Sequence, residues 1–239
     1  MMKSGSFSYA GSRHGLLPER NEDAVAERDC GTHKVVVLCD GASCCANGKA
    51  AARLTADALA GFLSFRFGRC LLEAQDVLRR EVVKLITEVL TEAARAAGAD
   101  PASFGCTVMA AAMDRQGRWC LFHLGDGTAL GRMEPDSGWA VFSHPQSGLV
   151  PGGTSLTMNG AMFDNLRFYR QAFPAGRALV LATDGALELL VPRLLSGKNP
   201  EPPDLSELPE APEDDCSAAW LIAVPGAENR DNPGIFFVR

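Results

Sequence analysis

Three aspartate–glycine pairs stand where they could do chemistry. Each closes an apolar run: KVVVLCDG ends in Asp40–Gly41, LFHLGDG in Asp126–Gly127 and ALVLATDG in Asp184–Gly185. A short apolar run reads as a buried strand. The carboxylate then stands where the chain leaves the core, and glycine lets backbone approach a ligand closely. One such pair is ordinarily a turn. Three in the same setting make a shared carboxylate site the reading to pursue. Converging carboxylates repel one another, and a hard divalent cation relieves that repulsion. Two acidic clusters could join them, Arg20-Asn21-Glu22-Asp23 and Glu213-Asp214-Asp215. The first sets the Asp23 carboxylate beside Arg20, whose planar fork suits phosphate.

The elements that must position these groups can be read along the chain. Strands are expected at Ser6 to Gly11, Ala24 to Glu27 and Val35 to Cys39. A helix is expected from about Lys49 to Phe65, with Ala51, Leu54, Ala58, Phe62 and Phe65 on one apolar face. A second, from about Glu73 to Ala97, carries Leu78, Val82, Leu85, Val89 and Ala93, with Gly98 as its stop. Two consecutive amphipathic helices would pack side by side on one face of a sheet. Cys106 to Met113, Trp119 to Leu124, Thr128 to Met133 and Trp139 to Ser143 read as strands joined by short turns, hence as antiparallel hairpins. His144 to Asn165 reads as loop over the site. Leu166 to Ala172, Ala178 to Thr183 and Ala218 to Val224 read as strands, with one more at Gly234 to Val238. Leu194 to Asp215 is a proline-rich acidic connector. Asp40, Asp126 and Asp184 follow strands, whereas Asp214 and Asp215 precede one. In an antiparallel sheet that puts all of them on one edge.

Composition narrows the function classes. The chain has 239 residues, 46% hydrophobic and 22% charged, which fits a single well-cored domain over residues 1–239. The net charge of -6 argues against nucleic acid or an anionic membrane as partner. No run approaches the ~18 apolar residues of a membrane span, and the first residues do not read as a secretory signal. Eight cysteines without a CxxC spacing read as reduced thiols of a cytoplasmic protein.

Taken in order, these pieces are NED, apolar–DGA with a helix, GCT, LGDG, LATDG, and DDCS with a strand. That series resembles the metal-dependent PPM-type (type 2C) serine/threonine protein phosphatases in their compact bacterial form, from about Ser6 to Val224. The resemblance implies an α+β fold, a four-layer α/β/β/α sandwich of two antiparallel sheets flanked by helices. It implies two Mn²⁺ or Mg²⁺ ions at one sheet edge, and a third, weaker ion in some members. Asp40 would bridge the two ions and the Gly41 carbonyl would bind one of them. Asp184 and Asp214 would hold the other, with Asp215 as rival to Asp214. Asp23 would hold ion-bound water, and Asp126 would serve the third ion. The implied substrate is a phosphoserine or phosphothreonine protein, with a Ser/Thr kinase as counterpart.

The chemistry agrees with the residue types. Two hard cations neutralise a phosphate dianion and acidify a bridging water, so hydroxide attacks phosphorus without a protein nucleophile. Hard cations prefer oxygen, which explains aspartates in place of His and Cys. Three departures stand out. The family arginine three residues before the Asn of NED is replaced by Pro18, leaving Arg20 or Arg13 for phosphate. The loop after Gly41 reads Ala42-Ser43-Cys44 where Ala-Gly-Gly is common. GCT at Gly105–Thr107 replaces GTT. These departures define two rivals to a phosphatase: a pseudophosphatase that binds a partner, and a structural divalent-ion domain. His14 is the histidine nearest a motif, and Cys44 and Cys45 follow the metal loop.

Overall fold

The computed structural model describes residues 1–133, 138–146, 153–172, 177–187, 190 and 212–224. Ten strands fall in two five-stranded sheets. In chain order they are β1 (Met2–Tyr9), β2 (Asp23–Asp29), β3 (His33–Asp40), β4 (Val108–Asp114), β5 (Trp119–Leu124), β6 (Thr128–Arg132), β7 (Ala140–Ser143), β8 (Arg167–Gln171), β9 (Ala178–Ala182) and β10 (Cys216–Ala223). One sheet has the order β1-β10-β9-β6-β7 and the other β2-β3-β4-β5-β8. Every pairing is antiparallel. The helices with both ends described are α1 (Gly48–Cys70), α2 (Gln75–Ala97) and the short α3 (Met162–Asn165), and residues 184–187 and 190 are helical as well. The sequence expectation of two antiparallel sheets with helices outside them is met.

Alternation along the strands sorts side chains into layers. Val36, Leu38, Met109, Ala111, Leu179, Leu181, Ala219 and Leu221 fill the space between the sheets. Val35, Val37 and Cys39 point the other way, into a core shared with α1 and α2. The outer face of the β1-containing sheet is covered by Ala186, Leu187 and Leu190 of the helical residues 184–187 and 190.

Several local expectations shift. α1 runs five residues past Phe65 to Cys70. Its buried stripe is Ala51, Ala52, Thr55, Ala56, Leu59, Ala60, Leu63 and Phe67, whereas Phe65 is 90% exposed. The spacing of Ala58, Phe62 and Phe65 is a true helical period, but it marks a flank of the helix and not its buried centre. In α2 the buried residues are Leu78, Val82, Ile86, Leu90 and Ala94, so Leu85, Val89 and Ala93 likewise flank the stripe. Gly98 ends α2 at φ 63 as expected. β1 starts at Met2, well before Ser6. Within the stretch read as loop, α3 forms next to β8. The expected strand at Gly234 to Val238 and most of the proline-rich connector lie outside the described residues.

The strands after β4 do not form a run of hairpins. β4 pairs with β5 and β6 with β7, but β5 and β6 belong to different sheets. Gly125-Asp126-Gly127 carries the chain between them. Gly125 has φ +116, and a Cβ there would stand 2.6 Å from the Thr107 side chain. A Cβ on Gly127 would meet Met109 and the Ala182 carbonyl. Only glycine fits both positions, so the LGDG run is a crossover between sheets that leaves Asp126 at the common edge.

One buried group gives the fold a pH dependence. His123 on β5 is fully buried, with Nδ1 2.5 Å from Ser143 Oγ and Nε2 without a partner among the described residues. Burial and then Arg167 push its pKa down to about 4. Below its ordinary pKa of ~6.5 the unfolded chain takes up a proton that the folded chain refuses. Stability therefore falls as pH drops from ~6.5 towards 4, by about 3 kcal/mol from this group. Urea unfolding of His123→Gln beside the wild type should show a shallower acid limb in the variant.

Candidate metal centre

The site is the polar end of the layer between the sheets. The alternation that places Val36 and Leu38 between the sheets carries on to Asp40 at the end of β3. Asp23 at the start of β2 is its direct cross-strand partner. Paired residues project to the same face, so the two carboxylates are neighbours. On the other sheet, Thr183 follows Leu181 and Ser217 precedes Ala219. Their backbones continue the β9–β10 ladder through Thr183 N to Ser217 O at 3.0 Å. Asp184 and Asp214 lie just beyond them, and Asp126 lies on the crossover.

These carboxylates raise one another's pKa. Burial holds the Asp40 carboxyl well above the usual range, and Asp23, Asp184, Asp126 and Asp214 add to the shift. Asp23 is pushed up to about 7, chiefly by burial and then by Asp215 and Asp184, against hydrogen bonds from Ser217 and Thr183. Asp184 is exposed at the rim, yet lost hydration, Asp126 and Asp214 still hold it upward. The five aspartates singled out from the sequence, Asp23, Asp40, Asp126, Asp184 and Asp214, thus lie within electrostatic reach of one another. No three His, Cys, Asp or Glu side chains among the described residues close on a single point. An ion here would take one or two carboxylates and complete its shell with water, which is how Mg²⁺ is usually held.

The donor set fits such an ion. It is all oxygen, it is strongly anionic, and Asp23 Oδ1 is buried without a partner among the described residues. Gly41 is buried at the same edge, its N–H bonded to the Glu22 carbonyl at 3.2 Å. A Cβ on Gly41 would stand 2.6 Å from the Gly48 carbonyl carbon, so glycine is what lets α1 start directly against the end of β3.

Asp214, preferred as the ligand because the family's terminal motif begins with it, and its rival Asp215 are used differently. Asp215 is buried, and its oxygens accept from Gly11 N at 2.8 Å, Glu22 N at 2.6 Å and His14 Nδ1 at 2.9 Å. Those bonds tie the segment before β2 to the start of β10, and the one from His14, helped by the nearby carboxylates, raises the His14 pKa. Asp214 accepts from Asp215 N at 2.9 Å and from Arg13 Nη1 at 3.0 Å, and it faces Asp40 and Asp184. The segment 214–215 is fixed by close packing on both sides. A Cβ on Gly11 would come within 2.3 Å of the Asp214 carbonyl carbon, and one on Gly185 within 2.1 Å of the Asp215 oxygen.

The two candidate arginines also separate. Arg13 grips Glu213 and Asp214. Arg20 ends a short 3₁₀ turn (Pro18–Arg20), is exposed, and has no side-chain partner among the described residues.

Sequence reading missed the hydroxyls that hold the carboxylates. Thr107 Oγ1 accepts from Asp40 N at 3.0 Å, while Thr107 N donates to Asp40 O at 2.8 Å. Thr183 Oγ1 donates to Asp23 Oδ2 at 3.2 Å, and Thr154 Oγ1 to Asp126 Oδ2 at 2.5 Å. The first two sit inside GCT and ATDG and could have been found there. Thr154 lies in a stretch without any pattern. Ser43, one of the departures, donates to Glu22 Oε2 at 2.6 Å and so has a local role. All eight cysteines are free thiols, with Cys44 exposed and 4.0 Å from Cys45 in Sγ–Sγ distance.

The family model for protein phosphatase 2C matches residues 10–221, and the chain belongs to that family. Among solved structures, the serine/threonine phosphatase Stp1 from Staphylococcus aureus is 18% identical, with 95% of this chain and 96% of that one covered and a TM-score of 0.63. PppA of Pseudomonas aeruginosa, described as a key regulatory component of T6SS, is 19% identical, with 93% and 98% covered and a TM-score of 0.63. RsbX in complex with magnesium is 11% identical, with 92% and 94% covered and a TM-score of 0.58. At these identities the likeness is one of fold. No curated protein sequence gives a significant match. Among the described residues no helix is long and apolar enough to cross a membrane.

Proposed function

We propose that the chain, as one domain over residues 1–239, is a metal-dependent phosphatase of phosphoserine or phosphothreonine proteins. The observation that carries this reading is the convergence of Asp23, Asp40, Asp126, Asp184 and Asp214 on one edge, with the buried Asp23 Oδ1 unpaired among the described residues. Asp40, the Gly41 carbonyl, Asp184 and Asp214 would hold two Mn²⁺ or Mg²⁺ ions, with Asp126 near a third. When bound, such ions supply charge neutralisation for a phosphate dianion and acidify water.

The chain's own residues do the rest. Thr107 fixes the backbone of Asp40, and Thr183 holds one oxygen of Asp23, leaving the other to accept from water. Arg20, beside the NED turn and without a side-chain partner among the described residues, would take a phosphate oxygen in place of the residue that Pro18 displaces. A cytoplasmic setting agrees with the free thiols. A Ser/Thr kinase that makes the substrate is the expected counterpart.

The test is hydrolysis of p-nitrophenyl phosphate and of a phosphothreonine peptide with Mn²⁺. The wild type should turn over both. Arg20→Ala should raise KM about tenfold or more, the worth of a charge-assisted hydrogen bond. A folded wild type that binds Mn²⁺ but hydrolyses neither would instead be a binding relative.

A further inference from the structure

Arg13 occupies a position that a metal ion would contest. Its segment is fastened to residues 212–213 by Ser12 N to Pro212 O at 2.8 Å and Arg13 N to Glu213 O at 3.0 Å. Its Nε and Nη2 hold Glu213 Oε1 at 3.2 and 2.8 Å, and its Nη1 holds Asp214 Oδ2 at 3.0 Å. Asp214 Oδ1 is already taken by Asp215 N. Both oxygens of Asp214 are therefore engaged, one of them by a guanidinium. Glu213 and Asp214, with Asp184 behind them, raise the Arg13 pKa, so its charge is permanent. This unit charge lies beside two of the five repelling carboxylates, and partial exposure (60% for Arg13, 39% for Asp214) leaves it free to swing away.

We infer that Arg13 is a built-in counter-cation that competes with the divalent ion for Asp214 and so sets the affinity of the Asp184–Asp214 site. The inference rests on the reading of Asp214 as a ligand. An ion arriving at Asp214 would displace Nη1, share Oδ2 with it, or take the open lone pair of Oδ1, and in each case it meets a like charge on the same carboxylate. An ion held by Asp40 and the Gly41 carbonyl would not draw on this pair. Of two bound ions, the one at Asp214 should accordingly be the weaker. The second anchor on Glu213 keeps the released guanidinium near the edge.

Calorimetric titration of Mn²⁺ into metal-free protein tests this without reference to turnover. Arg13→Gln should tighten the weaker site about three- to fivefold, the range of an exposed ion pair, and high salt should shrink the difference. Arg13→Lys, which keeps the charge without the fork, should fall between the two. Unchanged or weaker binding in Arg13→Gln would overturn the inference, since it would make Arg13 a mere strap on residues 212–214. Should the Gln variant not fold, an Arg13→Lys affinity equal to or below wild type would have the same meaning. Asp214→Asn separates the two layers of argument. If it leaves every Mn²⁺ site intact, the ligand assignment itself is wrong, whatever Arg13 does.

Discussion

Replacing Asp40 by Asn is expected to lower Mn²⁺-dependent turnover about 1,000-fold while making the metal-free protein more stable. Asp40 is the point on which the other four aspartates act, so it carries the greatest share of their mutual repulsion. A neutral amide of the same shape removes that repulsion and keeps the backbone bonds to Thr107. A gain of about 1 kcal/mol would raise Tm by roughly 2–4 °C for a chain of this size. Catalysis should move the other way, because under the proposed function Asp40 would help hold the ions, and without its charge several kcal/mol of cation binding and charge stabilisation would be lost. Asp184→Asn should cost comparable activity with a smaller stability gain, since Asp184 lies at the exposed rim. Thermal melts with and without Mn²⁺, beside p-nitrophenyl phosphate kinetics, measure both signs. A variant that loses activity and apo stability together would point to simple misfolding. One that keeps activity would remove Asp40 from the site. Sites that trade stability for function behave in the manner expected here.

Gly185→Ala is the second large effect, and it acts through backbone alone. The added Cβ would overlap the Asp215 carbonyl oxygen, at 2.1 Å, and crowd the Asp215 carbonyl carbon, at 3.1 Å. No rotamer change relieves a clash between Cβ and backbone. The 214–215 segment cannot retreat either, because Gly11 packs against Asp214 from the other side. The expected cost is about 1–3 kcal/mol of stability, as for other overpacked sites. Displacing Asp214 should also weaken Mn²⁺ binding about tenfold or more, about what is lost when residues that orient a metal ligand are changed. Denaturant unfolding and calorimetry together decide it. Full stability and full Mn²⁺ affinity in the variant would show that the Gly11–Gly185 clamp does not position the ligand.

Much of the fold was legible in the sequence because strands announce themselves by apolar runs. Trp119 to Leu124 and Ala178 to Thr183 were placed within a residue of β5 and β9. The edge shared by the aspartates followed from their order, after a strand for Asp40, Asp126 and Asp184 and before one for Asp214. Helix existence and length were nearly right, but the buried stripe of α1 was not. A helix rich in alanine and phenylalanine offers several apolar lines at the same period, and only the sheet beneath it selects one. Phe65, apolar by type and 90% exposed, marks that limit.

The sequence by itself determined which residues could do the chemistry: an oxygen-rich, anionic set at strand ends, suited to hard cations and phosphate. Composition and local periodicity fix such things because they depend on near neighbours in the chain. What only the tertiary structure shows is how neighbouring candidates are used. Asp214 faces the other aspartates while Asp215 is spent on Gly11, Glu22 and His14. Arg13 is bound to Asp214, while Arg20 has no side-chain partner among the described residues. The LGDG run is a crossing between sheets and not a hairpin turn. Each of these depends on contacts between residues distant in sequence, such as Arg13 with Asp214, Asp23 with Thr183, and Gly185 with Asp215. Nothing in the spacing of either partner encodes such a contact.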